Sequence, residues 1–154
     1  MVRVADEILI ARPVEEVFDL VADQRNEPCY NPDMVRAEKL TPGPVGLGTR
    51  FRADTRSGRR TVAMTMEITE YDRPRRLAWS IHMSAMDIRG TVTLDPVPGG
   101  TRMRWSWDLR PRGATRLLTP VVAALGRRME RRIWTSMKRY LEGQAPSSAA
   151  EVSR

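Results

Sequence analysis

Residues 101–110 read TRMRWSWDLR, an alternation that places two tryptophans, a methionine and a leucine on one side and mostly charged or small polar residues on the other. Alternation with a period of two is typical of a β-strand that buries one face. The same pattern recurs upstream in four further segments, near residues 48–57, 60–71, 76–84 and 86–95. These five strands decide the fold class, because they make a sheet its main element.

Short turn sequences separate these strands. They are Ser57-Gly58, Asp72-Arg73-Pro74 and Pro98-Gly99-Gly100, all rich in the residues that favour tight turns. Strands of this spacing joined by short turns form an antiparallel meander. We therefore predict an antiparallel sheet over residues 48–110.

The flanking sequence adds two more strands and the helices. Residues 2–11 and 34–41 predict strands, and Arg12-Pro13 followed by two acids predicts the start of a helix over 12–21. Residues 23–33, broken by two prolines, predict a short helix or loop. From Thr119 to Gly143 the apolar residues recur every three or four positions, which predicts one long amphipathic helix. We expect an α+β fold, with a single domain over residues 1–143 and a flexible tail over 144–154.

Composition excludes several classes of protein. The 154 residues carry 26 Lys+Arg against 19 Asp+Glu, a net charge of +7, and suit one globular domain. No apolar run approaches the roughly 20 residues of a membrane span, and the N-terminus lacks the apolar stretch of a signal peptide. We therefore expect a cytoplasmic protein.

Motifs for cofactors and catalysis are missing as well. The glycines between Gly43 and Gly48 precede a strand, and so do not form a dinucleotide fingerprint. Cys29 and His82 are the only cysteine and histidine, which argues against a zinc site. We predict no metal and no cofactor. His82 alternates with apolar neighbours and is expected on the surface, and Cys29 is expected to be a buried, inert thiol.

The inward faces of the predicted elements collect all four tryptophans and most of the nine methionines. Methionine fills irregular space, and tryptophan adds a large apolar area with one N–H donor. Such a surface fits either a packed core or a cavity for a bulky apolar ligand. The candidate ligand-binding residues on it are Met64, Met66, Trp79, Ile81, Met83, Ile88, Met103, Trp105, Trp107, Met129, Ile133, Trp134 and Met137.

Three polar residues could serve such a cavity. Asp6 interrupts the apolar face of the first strand; it is either a buried acid with a raised pKa or a solvated residue near the chain end. Tyr30 and Asn31 lie in the short helical region, where they could orient a ligand carbonyl or hydroxyl. Their alternative role is capping and packing of the loop.

The basic surfaces have a simpler interpretation. The outer sheet face carries charged residues that cross-strand charge pairs on a solvated face explain, namely Arg50, Arg52, Asp54, Glu67, Arg89, Arg102 and Arg104. RNA-binding sheets expose aromatic side chains, whereas these aromatics fall on the other face. The long helix carries an arginine-rich face that could contact RNA or anionic lipid, with a solvated face as the default. Its residues are Arg127, Arg128, Arg131, Arg132, Lys138 and Arg139.

Several segments together resemble one family. They are residues 11–18 (ARPVEEVF), 30–32 (YNP), 46–51 (GLGTRF), 70–74 (EYDRP) and 99–105 (GGTRMRW), with the long terminal helix. In this order and spacing the chain resembles the START-like (SRPBCC) superfamily, in particular its polyketide cyclase/dehydrase and lipid-transport branch. The resemblance covers about residues 2–142. It implies a helix-grip fold, in which a seven-stranded antiparallel sheet wraps around the C-terminal helix and leaves a hydrophobic cavity. The family often has tryptophan at the position of Tyr30.

The resemblance leaves several functions open, because one fold serves many. Our leading expectation is binding of a hydrophobic small molecule, such as a lipid, polyketide or isoprenoid, between sheet and helix. The alternatives are a polyketide aromatase/cyclase or dehydratase acting in the same cavity, and a module that uses the basic helix face. We expect no DNA partner, and we rank RNA or an anionic membrane below the small molecule.

Overall fold

The computed structural model describes residues 1–144 and confirms the predicted fold class. The tail predicted over 144–154 lies almost wholly outside the described residues. The elements, in chain order, are β1 (Val2–Ile10), α1 (Val14–Ala22), a 3-10 helix (Gln24–Cys29), β2 (Met34–Lys39), β3 (Arg50–Ser57), β4 (Arg60–Asp72), β5 (Arg76–Met83), β6 (Met86–Val97), β7 (Gly100–Pro111), a second 3-10 helix (Gly113–Leu118) and α2 (Thr119–Glu142).

The seven strands form one antiparallel sheet in the order β1-β7-β6-β5-β4-β3-β2. Strands β2 to β7 form the meander, and β1 joins its far edge by pairing with β7 from Val2↔Leu109 to Ile10↔Thr101. At the β3–β4 turn Gly58 has a φ of 63°, a conformation that glycine adopts without strain. The sheet therefore begins and ends with the two strands that come first in the sequence.

The helices cover the inner face of the sheet at two places. Helix α1 buries Val17, Phe18 and Val21, and the Phe18 ring meets Tyr71 edge-on at 5.2 Å. Helix α2 lies along β1 and β7, where a Cβ on Gly126 would come within 3.3 Å of Leu109 and 3.5 Å of Val4. We call the space between α2 and the inner face of the sheet the interior.

The C-terminal end of α2 is tied to the β1–α1 junction by polar contacts. Arg12 Nε donates a hydrogen bond to the Leu141 carbonyl at 2.8 Å, and the Ala11 N–H donates to Glu142 Oε1 at 2.8 Å. Lys138 Nζ donates to the Leu9 carbonyl at 2.8 Å. No helix in the described part of the chain is long and apolar enough to cross a membrane.

Candidate functional site

A row of aromatic rings crosses the middle of the inner face. Trp79 on β5 and Trp107 on β7 both pair with Gly90 on the strand between them. A Cβ on Gly90 would lie 1.7 Å from Cε3 of Trp107, so the Trp107 indole occupies the space that any other residue at 90 would fill. The two indoles approach with centroids 6.0 Å apart and planes tilted by 32°. Glycine at position 90 thus allows two tryptophans to lie side by side over three strands.

A second aromatic pair joins the sheet to α2. Trp105 of β7 and Trp134 of α2 have ring centroids 5.8 Å apart, tilted by 44°. Both are buried, as are Met103 beside Trp105 and Met137 beside Trp134. This pair anchors the helix to the sheet and closes the interior on the β7 side.

Three indole N–H groups on this face have no acceptor. The Nε1 atoms of Trp79, Trp105 and Trp107 are buried and make no hydrogen bond with residues 1–144. A buried donor without a partner costs about 1–3 kcal/mol, so most are satisfied in folded proteins. Three such donors therefore lie on one surface of the interior.

A half-buried glutamate faces the same tryptophans from α2. Glu130 Oε2 accepts a hydrogen bond from Trp134 Nε1 at 2.8 Å. Burial, together with the charge of Glu27, raises the pKa of Glu130 to about 7, and the N–H groups of Trp134 and Trp107 oppose the shift. The Trp107 indole is close enough for this effect, although its N–H does not reach hydrogen-bond geometry. Near neutral pH this carboxyl can therefore donate or accept a proton.

A second acid comes from the 3-10 helix after α1. Burial raises the pKa of Glu27, and a 2.8 Å hydrogen bond from Asn31 Nδ2 to its Oε1 opposes that shift. The pKa of Tyr30 is raised well above its usual value by burial and then by the charge of Glu27. The 3-10 helix and α2 thus bring two carboxyls and a phenol together.

Tyr30 and Asn31 are both buried, and their contacts are with the protein itself. The Tyr30 ring lies 6.3 Å from Tyr140 of α2. The Asn31 amide donates to Glu27, and its Oδ1 accepts from the Asp33 N–H at 3.1 Å. Asn31 therefore uses both ends of its amide to hold the loop.

The remaining predicted ligand-binding residues are buried or half-buried, apart from Met129, which is exposed. Met66, Trp79, Met103, Trp105, Trp107, Trp134 and Met137 are buried. A half-buried group consists of Met64, Ile81, Met83 and Ile88 near the β5–β6 turn, and of Ile133 on α2, which lines the groove beside the Asn31–Asp33 loop. Met64 pairs with Met83 and Ile81 with Ile88 across neighbouring strands, so this end of the interior is the more open one. We call it the open end.

The prediction that Met129 faces inward was wrong. Met129 is 52% exposed and lines a surface groove of about 420 Å³ between α2 and the Asn31–Asp33 loop. The inward face of α2 is rotated relative to the prediction and runs through Ala123, Glu130, Trp134 and Met137. Glu130, which is one helical turn before Trp134, was missed because only apolar residues were used to set the helical phase.

Of the two alternatives for Asp6 the solvated one is confirmed, the expectation of a buried Cys29 is corrected, and that of a surface His82 is confirmed. Asp6 is solvated and ion-paired with Arg131; the Glu7 N–H and then Arg131 lower its pKa, the reverse of a buried acid. Cys29 is exposed. His82 is on the surface as predicted, with Nδ1 2.5 Å from Asp87 Oδ1. No cluster of possible metal ligands occurs among the described residues.

Comparison with known proteins agrees with this architecture. Residues 1–142 match the family described as "Polyketide cyclase / dehydrase and lipid transport". The protein TTHA0849 from Thermus thermophilus superposes with a TM-score of 0.79 at 21% identity, covering 93% of this chain and 99% of that one. A START superfamily protein from Mycobacterium smegmatis gives 0.70 at 14% identity, covering 92% and 94%.

A two-domain relative carries the same fold in part of its chain. The di-domain ARO/CYC BexL from the BE-7585A biosynthetic pathway gives a TM-score of 0.76 at 22% identity, covering 92% of this chain and 47% of that one. No curated protein sequence matches this chain. At these identities the solved structures establish the fold, a helix-grip of the START type.

Proposed function

This chain belongs to the polyketide cyclase/dehydrase and lipid transport family, and we propose that it binds an uncharged hydrophobic small molecule carrying an acceptor oxygen in its interior. The family supports hydrophobic ligand binding or a polyketide cyclase role in general. The finer assignment rests on one observation, the three buried indole N–H groups without acceptors. A ligand carbonyl or hydroxyl oxygen would accept hydrogen bonds from these buried donors.

Charge in the interior selects against an anionic ligand. Glu130 and Glu27 face this space, and each raises the cost of placing a further negative charge there. A neutral Glu130, by contrast, is a hydrogen-bond donor. The interior therefore suits neutral ketones, alcohols and esters with large apolar bodies, such as lipids, polyketides or isoprenoids.

Entry is proposed at the open end. Met64, Met83 and Ile88 keep accessible surface there, while the tryptophans beyond them are buried. Unbranched methionine side chains adapt to ligands of different shape. A ligand would slide along these residues with its oxygen leading toward Trp107 and Glu130.

A second candidate is a polyketide aromatase/cyclase or dehydratase activity in the same space. The observation that favours it is the pKa of Glu130 at about 7, beside the second carboxyl of Glu27. Enolisation and loss of water both require proton transfer by a group whose pKa lies near the working pH. Glu130 would be the acid and base, and Glu27 would tune it.

Native mass spectrometry with organic extraction tests binding first. A co-purifying apolar compound is the expected result and would name the ligand class. A fluorescent neutral ketone, 6-propionyl-2-dimethylaminonaphthalene, is the probe for protein that purifies empty. The carbonyl of this probe accepts hydrogen bonds. The parent naphthylamine, which lacks the ketone, is the control ligand for the contribution of that carbonyl.

Two variants then test where the ligand oxygen binds. Trp107→Phe keeps a ring and removes the N–H, so ketone affinity should fall by about 2–10-fold while affinity for the parent naphthylamine changes less. Tyr71→Phe, which also removes one polar hydrogen from an aromatic ring, is the control beside α1. If neither probe binds and no compound co-purifies, hydrophobic ligand binding is refuted; turnover of a model polyketone abolished by Glu130→Gln would support the enzyme.

A further inference from the structure

The first half of α2 exposes apolar side chains that the fold does not bury. Leu118, Val121, Leu125 and Met129 are 54%, 53%, 61% and 52% exposed, and Leu117 just before them is 86% exposed. Val121, Leu125 and Met129 are spaced by four residues and lie on one side of α2, and Leu118, the last residue of the second 3-10 helix, precedes Val121 by three. We call Leu118, Val121, Leu125 and Met129 the α2 stripe. Half of the ten exposed large hydrophobic residues in the described chain fall in this short segment, which is not the distribution of scattered surface residues.

Positive charge borders the α2 stripe, most closely at Arg128 and Arg132, which follow Leu125 and Met129 by three residues. Arg127, Arg128, Arg131 and Arg132 are all exposed. Arg131 pairs with Asp6, and Arg132 approaches Asp33 at 4.0 Å. Arg127 and Arg128 make no ion pair with residues 1–144. The one acid in the middle of the helix, Glu130, points into the interior.

We propose that the α2 stripe and its arginines dock this protein on a lipid bilayer that contains anionic phospholipids. An amphipathic helix with large apolar side chains and basic neighbours lies in the plane of such a surface, with its apolar side at the boundary of headgroups and acyl chains. Arginine beside it gains from anionic headgroups. RNA would gain nothing from contact with the exposed leucines, and a helix face that contacts only solvent would not need them.

A second copy of the chain is a poorer occupant for the same surface. A twofold dimer across the α2 stripe would bring the arginines of both copies together, and Arg128 has no acid among residues 1–144 to offset its charge. Like charges placed close together oppose such an association. The bilayer is the partner whose charge complements this surface.

The α2 stripe lies near the proposed entrance to the interior. The β5–β6 turn lies beside the segment that leads into α2, since the Arg112 N–H donates to the Ala85 carbonyl at 2.8 Å. Half-buried Val122 and Ile133 lie between the α2 stripe and the inward face of the helix. A bilayer on the stripe would therefore stand next to the open end, although docking itself does not depend on any ligand in the interior.

Flotation with vesicles tests this proposal. The wild-type protein should float with vesicles of phosphatidylcholine mixed with phosphatidylglycerol, and much less with phosphatidylcholine alone. Leu118→Gln/Leu125→Gln should lower partitioning by about tenfold or more. Arg128→Gln/Arg132→Gln should lower it as well and weaken its dependence on salt.

Matched controls keep the result specific. Leu47→Gln removes an apolar side chain that is 73% exposed elsewhere, and Arg59→Gln removes an exposed charge in the β3–β4 turn; both should float like wild type. Circular dichroism checks that each variant is folded. The proposal is overturned if wild type does not float, or if the leucine variant floats like wild type, which would leave only the net charge of +7. It is also overturned if the wild type is a dimer and Leu118→Gln/Leu125→Gln is a monomer. The same holds if RNA displaces the wild type and the leucine variant from the vesicles equally well.

Discussion

Replacing Glu130 with glutamine should change how stability depends on pH. The folded protein holds the pKa of this carboxyl at about 7, against an ordinary value of 4.5. Between those two values the unfolded chain has lost the Glu130 proton while the folded protein keeps it. Folding then takes up a proton, so the contribution of Glu130 to stability declines as the pH rises from 4.5 and is at its lowest above 7.

The size of the effect follows from the shift. Each unit of pKa difference corresponds to about 1.4 kcal/mol, so the shift of Glu130 amounts to about 3 kcal/mol between acidic and mildly alkaline solution. Glutamine has nearly the same shape and its carbonyl can accept the Trp134 N–H, but it does not ionise. Glu130→Gln should therefore gain about 3 kcal/mol relative to wild type on going from below to above this range.

Urea unfolding across this pH range, followed by tryptophan fluorescence, measures the difference. Other titrating groups are common to both proteins and cancel in the comparison. Glu15→Gln, on the exposed side of α1, is the control for loss of a carboxyl on the surface. If the stability curves of wild type and Glu130→Gln run parallel, Glu130 is not held in a desolvated site, and its proposed part in binding or proton transfer fails with it.

Three further substitutions probe packing and surface charge. Gly90→Ala should destabilise the fold by about 1–3 kcal/mol, because its Cβ would overlap the Trp107 ring, and adding Trp107→Leu should recover part of the loss in urea unfolding. Phe18→Ala, at a fully buried position, should cost about 3–5 kcal/mol in the same assay. Arg131→Gln removes an exposed ion pair with Asp6 and should change the free energy of unfolding by less than about 1 kcal/mol. A loss from Arg131→Gln comparable to that from Phe18→Ala would contradict this ranking of the two contacts.

The strands of the sheet were predictable because the residues that identify each strand are close together in the sequence. Alternation with a period of two identifies each strand, and the inner face of β5 to β7 follows directly, including the buried positions of Trp79, Trp105 and Trp107. The same alternation puts glycine 90 on that face, but its role was not foreseen. It depends on which residues stand beside it on β5 and β7, and that is set by the register of three strands.

The acidic part of the site was not predictable by the same means. In α2, Met129 and Glu130 are neighbours, and hydrophobicity alone favours Met129 as the inward residue. The signal that was available is spacing, since Glu130 precedes Trp134 by four residues and Met137 by seven. Glu27 offered no such signal, because nothing in the spacing of residues 24–29 marks which side chain becomes desolvated.

Two residues of the interior, Gly90 and Glu130, differ from what stability alone would favour. A core built for stability would fill the space over β6 with methyl groups and place an apolar residue at 130, since unpaired polar groups inside a protein oppose folding. Here Gly90 makes room for a tryptophan whose N–H finds no acceptor, and Glu130 keeps a carboxyl that loses stability above its pKa. Both departures leave polar hydrogens facing the same space. The proposed neutral ligand oxygen would accept hydrogen bonds from these groups together, and its binding would then stabilise the folded protein.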